Sequence, residues 1–103
     1  MQEGIKKAIE VPFKVMVVAD SCWEDMIELA KHGNLSSSSD LEVGAKCLET
    51  GIWGAYKNVK INLPMIDDEN FKSEKLNHGA KLLDRAKSMV GTIEEILVER
   101  SKS

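Results

Sequence analysis

Apolar and small residues recur along the first third of the chain at Ile5, Ile9, Pro12, Met16, Ala19, Trp23, Met26 and Ala30, in steps that mostly alternate between four and three. That rhythm puts them on one face of a long amphipathic helix, with Ala8, Val15, Cys22 and Leu29 widening the buried stripe. Pro12 has no amide proton and crowds the carbonyl of Ala8, so the helix is expected to kink there or to begin properly near Val11. His32 and Gly33 end it, the glycine serving as a left-handed cap. A later segment, from about Asp67 to Arg100, repeats the pattern through Leu76, Gly79, Leu83, Ala86, Val90, Ile93 and Leu97, with Ala80, Leu82, Met89 and Ile96 beside it. Leu63-Pro64-Met65-Ile66 connects to it, and Asp67 or Asp68 caps its start. No stretch alternates as a strand would, so the pattern predicts an all-α bundle of three main helices.

Between these two helices the pattern changes. Gly33-Asn34-Leu35-Ser36-Ser37-Ser38-Ser39-Asp40 is a polar connection whose Ser39, three residues before Glu42, has the spacing of a capping box. The helix that follows carries Leu41, Val43, Gly44, Ala45, Cys47, Leu48, Gly51, Ile52, Trp53, Gly54, Ala55, Tyr56, Val59 and Ile61, apolar or small nearly all round. Such a helix is expected to be buried. Its three glycines each cost about 1 kcal/mol relative to alanine, which suits a site where another backbone or a ligand comes close. Three helices cannot enclose one of their own number. The bundle is therefore expected to be completed by oligomerisation or by a missing N-terminal part.

Composition narrows the class further. The 103 residues are 43% hydrophobic and 30% charged, which fits one folded helical domain and argues against disorder. A net charge of -3 gives no basic face for nucleic acid. Met1 to Glu10 lacks an unbroken apolar run, so neither a signal peptide nor a membrane span is expected, and the default location is cytoplasmic. Cys22 and Cys47 lack metal-site spacing and read as reduced core residues, while His32 and His78 stand alone. No metal is expected.

Three runs carry a resemblance: Ala8-Ile9-Glu10-Val11-Pro12-Phe13, then Gly33-Asn34-Leu35 through Ser39-Asp40-Leu41-Glu42-Val43, then Gly51-Ile52-Trp53-Gly54-Ala55-Tyr56-Lys57-Asn58-Val59-Lys60-Ile61-Asn62-Leu63. In order and spacing the chain resembles the formimidoyltetrahydrofolate cyclodeaminase / methenyltetrahydrofolate cyclohydrolase family, above all the cyclodeaminase half of the bifunctional animal-type enzymes. The resemblance implies an all-helical, oligomeric folate enzyme that closes 5-formimidoyltetrahydrofolate to 5,10-methenyltetrahydrofolate with loss of ammonia, in histidine degradation. A tetrahydrofolate derivative would be its substrate. It also implies that residues 1–103 match only the C-terminal portion of the helical domain. The glycine-rich opening and the aspartate-bearing helix to which the family's proton-donor role is assigned have no counterpart here.

No catalytic residue is therefore assigned. Asp40 lies just inside a helix start, where a carboxylate complements the helix dipole, and that reading is preferred to catalysis. Asn58 and Asn62, at i and i+4, share a face; their amides would either read the edges of a pterin or satisfy backbone at the helix end. Lys60 and Lys57 could meet a folate's glutamate tail or be simply solvated. Asn34 and Ser39 could join a ligand cradle at a helix N-terminus or form an ordinary polar loop. Trp23 and Trp53 are read as core or interface residues. The main alternative to a folate enzyme is a non-catalytic helical oligomerisation or interaction module derived from the same family.

Overall fold

A computed structural model describes residues 1–102, which form four helical segments: α1 (Gln2–Asp20), α2 (Trp23–His32), α3 (Ser38–Asn62) and α4 (Glu69–Ser101). Single 3-10 turns, Leu35–Ser37 and Leu63–Met65, join the longer pieces. Among the described residues there is no strand. The bundle measures 57 × 17 × 17 Å, so its rods lie side by side along one long axis.

The first two helices act as one rod. Ile9, Met16, Trp23 and Ala30 follow one another at seven-residue intervals across the α1–α2 junction, and all four are fully buried. Ser21 and Cys22 keep right-handed helical backbone angles there. The ladder tightens locally, with the Ser21 amide bonded to the Val18 carbonyl at 3.1 Å and the Cys22 amide to Ala19 at 3.0 Å. The Ser21 hydroxyl also donates to the Val18 carbonyl. Three main helices are thus present as three rods. The interruption falls at Ser21 rather than at Pro12, which lies inside α1 without ending it.

The same seven-residue spacing runs through Ala45, Ile52 and Val59 of α3 and through Gly79, Ala86 and Ile93 of α4. Each rod thus feeds one stripe into a single shared core. On α4 the expected seam is buried at Gly79, Ala86, Val90, Ile93 and Leu97, and it slips by one residue at two positions: Leu82 is buried where Leu83 is half-buried, and Lys75 is buried where Leu76 is exposed. Lys75 is only 7% exposed because its charge is compensated. Its Nζ lies 3.2 Å from Glu10 Oε1 and 4.1 Å from the centre of the Phe13 ring.

The middle helix is not enclosed. Val43, Cys47, Trp53 and Ile61 of α3 are exposed, and a Cβ at Gly51 or Gly54 would meet nothing within 4 Å. Apolar residues all round a helix were expected to be covered, but in a three-rod bundle only one face of each rod can be. The close-approach glycine lies on α4. A Cβ at Gly79 would run into the Tyr56 ring, whose hydroxyl donates to the Leu76 carbonyl at 2.8 Å. Cys22 and Cys47 are free and exposed, correcting their reading as core residues. Each lies off the seven-residue stripe that its rod turns toward the core, Met16–Trp23–Ala30 on the first rod and Ala45–Ile52–Val59 on α3.

Asp68 caps α4 as expected, accepting from the Phe71 amide at 3.1 Å. That bond, and then the ion pair with Lys6 at 3.3 Å, hold its carboxyl below the ordinary value of 3.8. A depressed carboxylate stabilises the fold above its unfolded value, and the contribution is lost as pH falls through the lower folded value. Urea unfolding from pH 6 down to 2 should therefore show a loss of stability below about pH 4 that Asp68→Ala lessens. A paired test concerns the glycines. Gly54→Ala should raise stability by up to about 1 kcal/mol through helix propensity alone. Gly79→Ala should lower it, because overpacking of roughly 1 to 3 kcal/mol against Tyr56 outweighs that gain.

Candidate functional site

The largest concentration of candidate polar residues lies where α2 ends and α3 begins. Leu29, Gly33, Asn34, Ser37, Ser38, Asp40, Leu41, Leu97 and Arg100 line a cleft of about 400 Å³ there. Local sequence builds it in three steps. The Gly33 amide bonds the Leu29 carbonyl at 2.7 Å, and a Cβ at Gly33 would lie 2.5 Å from that same oxygen. Glycine is needed for this close approach and not for a left-handed cap, since its φ is -71° and ψ 173°. The Asn34 side chain then accepts from the Ser36 amide at 3.0 Å, folding the chain into the 3-10 turn.

α3 starts at Ser38 after Ser37, which makes no side-chain cap bond. The capping box expected of Ser39 and Glu42 is not formed: Ser39 already lies inside the helix, because the 3-10 turn that follows Asn34 ends at Ser37 and the helix begins within the serine run. Asp40 remains in the first turn, where its charge faces the helix's positive end.

Arg100 closes the cleft from α4. Its two terminal nitrogens donate to the carbonyls of Ala30, at 2.7 Å, and Gly33, at 2.8 Å. A guanidinium fork bonded to the last carbonyls of α2 satisfies acceptors that helix geometry leaves open. It also places positive charge at the negative end of the helix. The sequence held a signal for this residue, since Arg100 follows Gly79, Ala86 and Ile93 at the next interval of seven. It continues the core stripe past the last apolar layer.

The remaining candidates lie elsewhere. Asn58, Lys60 and Asn62 sit eighteen or more residues beyond Asp40 on α3, about 27 Å along the helix, so the two groups do not share a pocket. Asn58 and Asn62 do share a face, and the Asn62 amide donates to the Asn58 carbonyl at 3.1 Å, the backbone-satisfying use of that pair. The Lys60 ammonium lies 4.9 Å from the centre of the Tyr56 ring. Trp53 is exposed, with Lys57 5.6 Å from its ring, whereas Trp23 is fully buried.

A second, shallower groove of about 600 Å³ runs between α3 and α4 beside Val43, Cys47, Thr50, Gly51 and Glu94. Burial, and then the nearby Asp84 carboxylate, raise the Tyr56 hydroxyl above 10.0, and that hydroxyl lies in neither cavity. Among the described residues no group of three or more His, Cys, Asp or Glu could hold a metal ion, and no helix is long and apolar enough to cross a membrane. The cleft can bind and orient a polar group through Asn34, the serine hydroxyls and Asp40.

Comparison with known proteins gives this architecture a family. A sequence model described as formiminotransferase-cyclodeaminase matches residues 1–81. Among curated relatives, the formimidoyltransferase-cyclodeaminase of Gallus gallus is 45% identical over 100 residues, covering 97% of this chain and 18% of its own length. That of Dictyostelium discoideum is 39% identical over 102 residues, covering 99% and 19%. That of Rattus norvegicus is 43% identical over 93 residues, covering 90% and 17%. The chain therefore spans less than a fifth of the length of these relatives.

The Arg100 clamp can be tested directly. Arg100→Ala leaves the Ala30 and Gly33 carbonyls without this donor and should cost about 1 to 3 kcal/mol. Hydrogen exchange of the amides from Gly33 to Ser38 should accelerate more than that of the α4 core. Uniform acceleration across the chain would show that the clamp acts on the whole bundle and not on the cleft.

Proposed function

Because the chain belongs to the formiminotransferase-cyclodeaminase family, we propose that it is the C-terminal portion of a folate-processing cyclodeaminase domain and works as part of a larger assembly. The observation that carries this reading is the 45% identity to a formimidoyltransferase-cyclodeaminase across 97% of the chain. The substrate would be a tetrahydrofolate derivative, 5-formimidoyltetrahydrofolate, closed to 5,10-methenyltetrahydrofolate with release of ammonia in histidine degradation. The setting would be a cytoplasmic homo-oligomer.

Ring closure requires N10 of the folate to attack the amidine carbon, after which a positioned acid must protonate the departing amino group. Among the residues lining the polar cleft Asp40 is the one carboxylate, and it sits in the first turn of a helix, where its charge complements the helix dipole. It suits orientation better than proton donation. In this reading Asn34, Ser39 and Asp40 at one end of α3, and Asn58, Lys60 and Asn62 at the other, contribute separate parts of a folate-facing wall. The proton donor comes from outside this chain.

A non-catalytic module of the same family is the second reading, favoured by the exposed apolar residues on α1 and α3. The two are separated by mixing the purified chain with a synthetic N-terminal complement built from a full-length relative's domain. Exposed Trp53 reports folate binding by fluorescence, and ammonia release reports turnover. We expect ammonia from 5-formimidoyltetrahydrofolate only in the mixture. Neither binding nor ammonia in the mixture would overturn the folate reading in favour of the module.

A further inference from the structure

One carboxylate in the polar cleft has no partner. Arg100 lines the cleft together with Asp40, yet its terminal nitrogens are turned onto the carbonyls of Ala30 and Gly33, and among the described residues no hydrogen bond or ion pair reaches the Asp40 side chain. Asn34 is held the other way round. The Ser36 amide engages its Oδ1 at 3.0 Å, which leaves the Nδ2 hydrogens to donate. Leu29, Leu41 and Leu97 give the same cleft of about 400 Å³ its apolar walls. Two acceptor oxygens and one amide donor beside leucine side chains suit a flat ring that is read along its polar edge.

Charge decides which end of a folate such a cleft can take. The glutamate tail is anionic and would meet Asp40 as a like charge. A 2-amino-4-oxopteridine presents along one edge an amino group, N3–H and a carbonyl oxygen. The two donors can sit side by side on one carboxylate, and the oxygen can accept from an amide N–H. We propose that Asp40 is the specificity-determining residue of this cleft: its carboxylate takes the 2-amino and N3–H donors of a pteridine ring while Asn34 Nδ2 donates to the 4-oxo oxygen, so that 2-amino-4-oxo rings are selected over 2,4-dioxo rings. A 2,4-dioxo ring places an oxygen where the amino group stood, and two acceptors then face each other with no hydrogen between them. The inference rests on the folate reading proposed above and deepens it by naming the part of the substrate that the cleft holds.

Pterin and lumazine, the 2-amino-4-oxo and 2,4-dioxo rings, are both fluorescent, and anisotropy titrations with the full chain read their binding. We expect lumazine to bind roughly tenfold more weakly than pterin. Asp40→Asn offers one acceptor and one donor, so it should weaken pterin by about tenfold and strengthen lumazine, inverting the preference at unchanged helicity by circular dichroism. Asp40→Glu keeps both acceptor oxygens and should keep the preference for pterin. A role confined to the helix start would move both ligands together. Equal binding of the two rings by wild type, or parallel changes in both with Asp40→Asn, overturns Asp40 as the selecting residue and leaves the folate reading standing. A chain that binds neither ring but takes up tetrahydrofolate in the mixing experiment overturns the cleft as the pteridine pocket and again leaves that reading standing. Failure to bind tetrahydrofolate there as well overturns both.

Discussion

Three rods packed side by side can share only one core, and each can turn only one stripe toward it. Everything else in the structure follows from that limit. Ile9, Met16, Trp23 and Ala30 fill the stripe of the first rod, Ala45, Ile52 and Val59 that of the second, and Gly79, Ala86 and Ile93 that of the third. Where two rods come closest, Gly79 admits the ring of Tyr56, and the Tyr56 hydroxyl ties α3 to the Leu76 carbonyl of α4. Between α1 and α4, Lys75 is buried against Phe13 with Glu10 as its counter-ion. At the end of α4 Arg100 takes the place of an apolar layer and bonds the carbonyls of Ala30 and Gly33 where α2 ends.

The helices and their inward faces were legible because periodicity reports what neighbours can reach. Asp68 as the α4 cap was legible for the same reason, since one side chain and one amide decide it. Features set by competition between neighbours were not. Pro12 reads as a break, yet the flanking core residues Ile9, Phe13 and Met16 hold the helix through it, and the interruption falls at Ser21. Ser39 has capping-box spacing, yet the turn built on Asn34 leads straight into a helix that already starts at Ser38. Composition misled most on α3. Its outward glycines and apolar residues look buried in a list, and only the number of rods says that they cannot all be.

The candidate site shows the same division. The sequence singled out six polar residues, and the fold separates them into two groups at opposite ends of α3. Asn62 is bonded to the backbone of its own helix, and Asn34 is occupied in its turn. Arg100 was absent from the candidates because its role depends on two carbonyls nearly seventy residues away in sequence. Spacing places a side chain on a face, but partners so distant become visible only when the rods are set beside one another.

Family membership and physical completeness pull in different directions here. The chain matches nearly its whole length to formimidoyltransferase-cyclodeaminases, yet it spans less than a fifth of theirs. A single-layer core of this size is enough to fold three rods, and it leaves valines on α1 and Val43, Trp53 and Ile61 on α3 in contact with water. Exposed apolar surface on that scale is costly for an isolated domain and ordinary for one that is packed against something else. The outer faces are therefore better understood as halves of contacts than as a finished surface. In the proposed reading, chemistry that needs both a positioned acid and a folate site would belong to a larger assembly, to which this chain would bring the scaffold and the polar ends of α3.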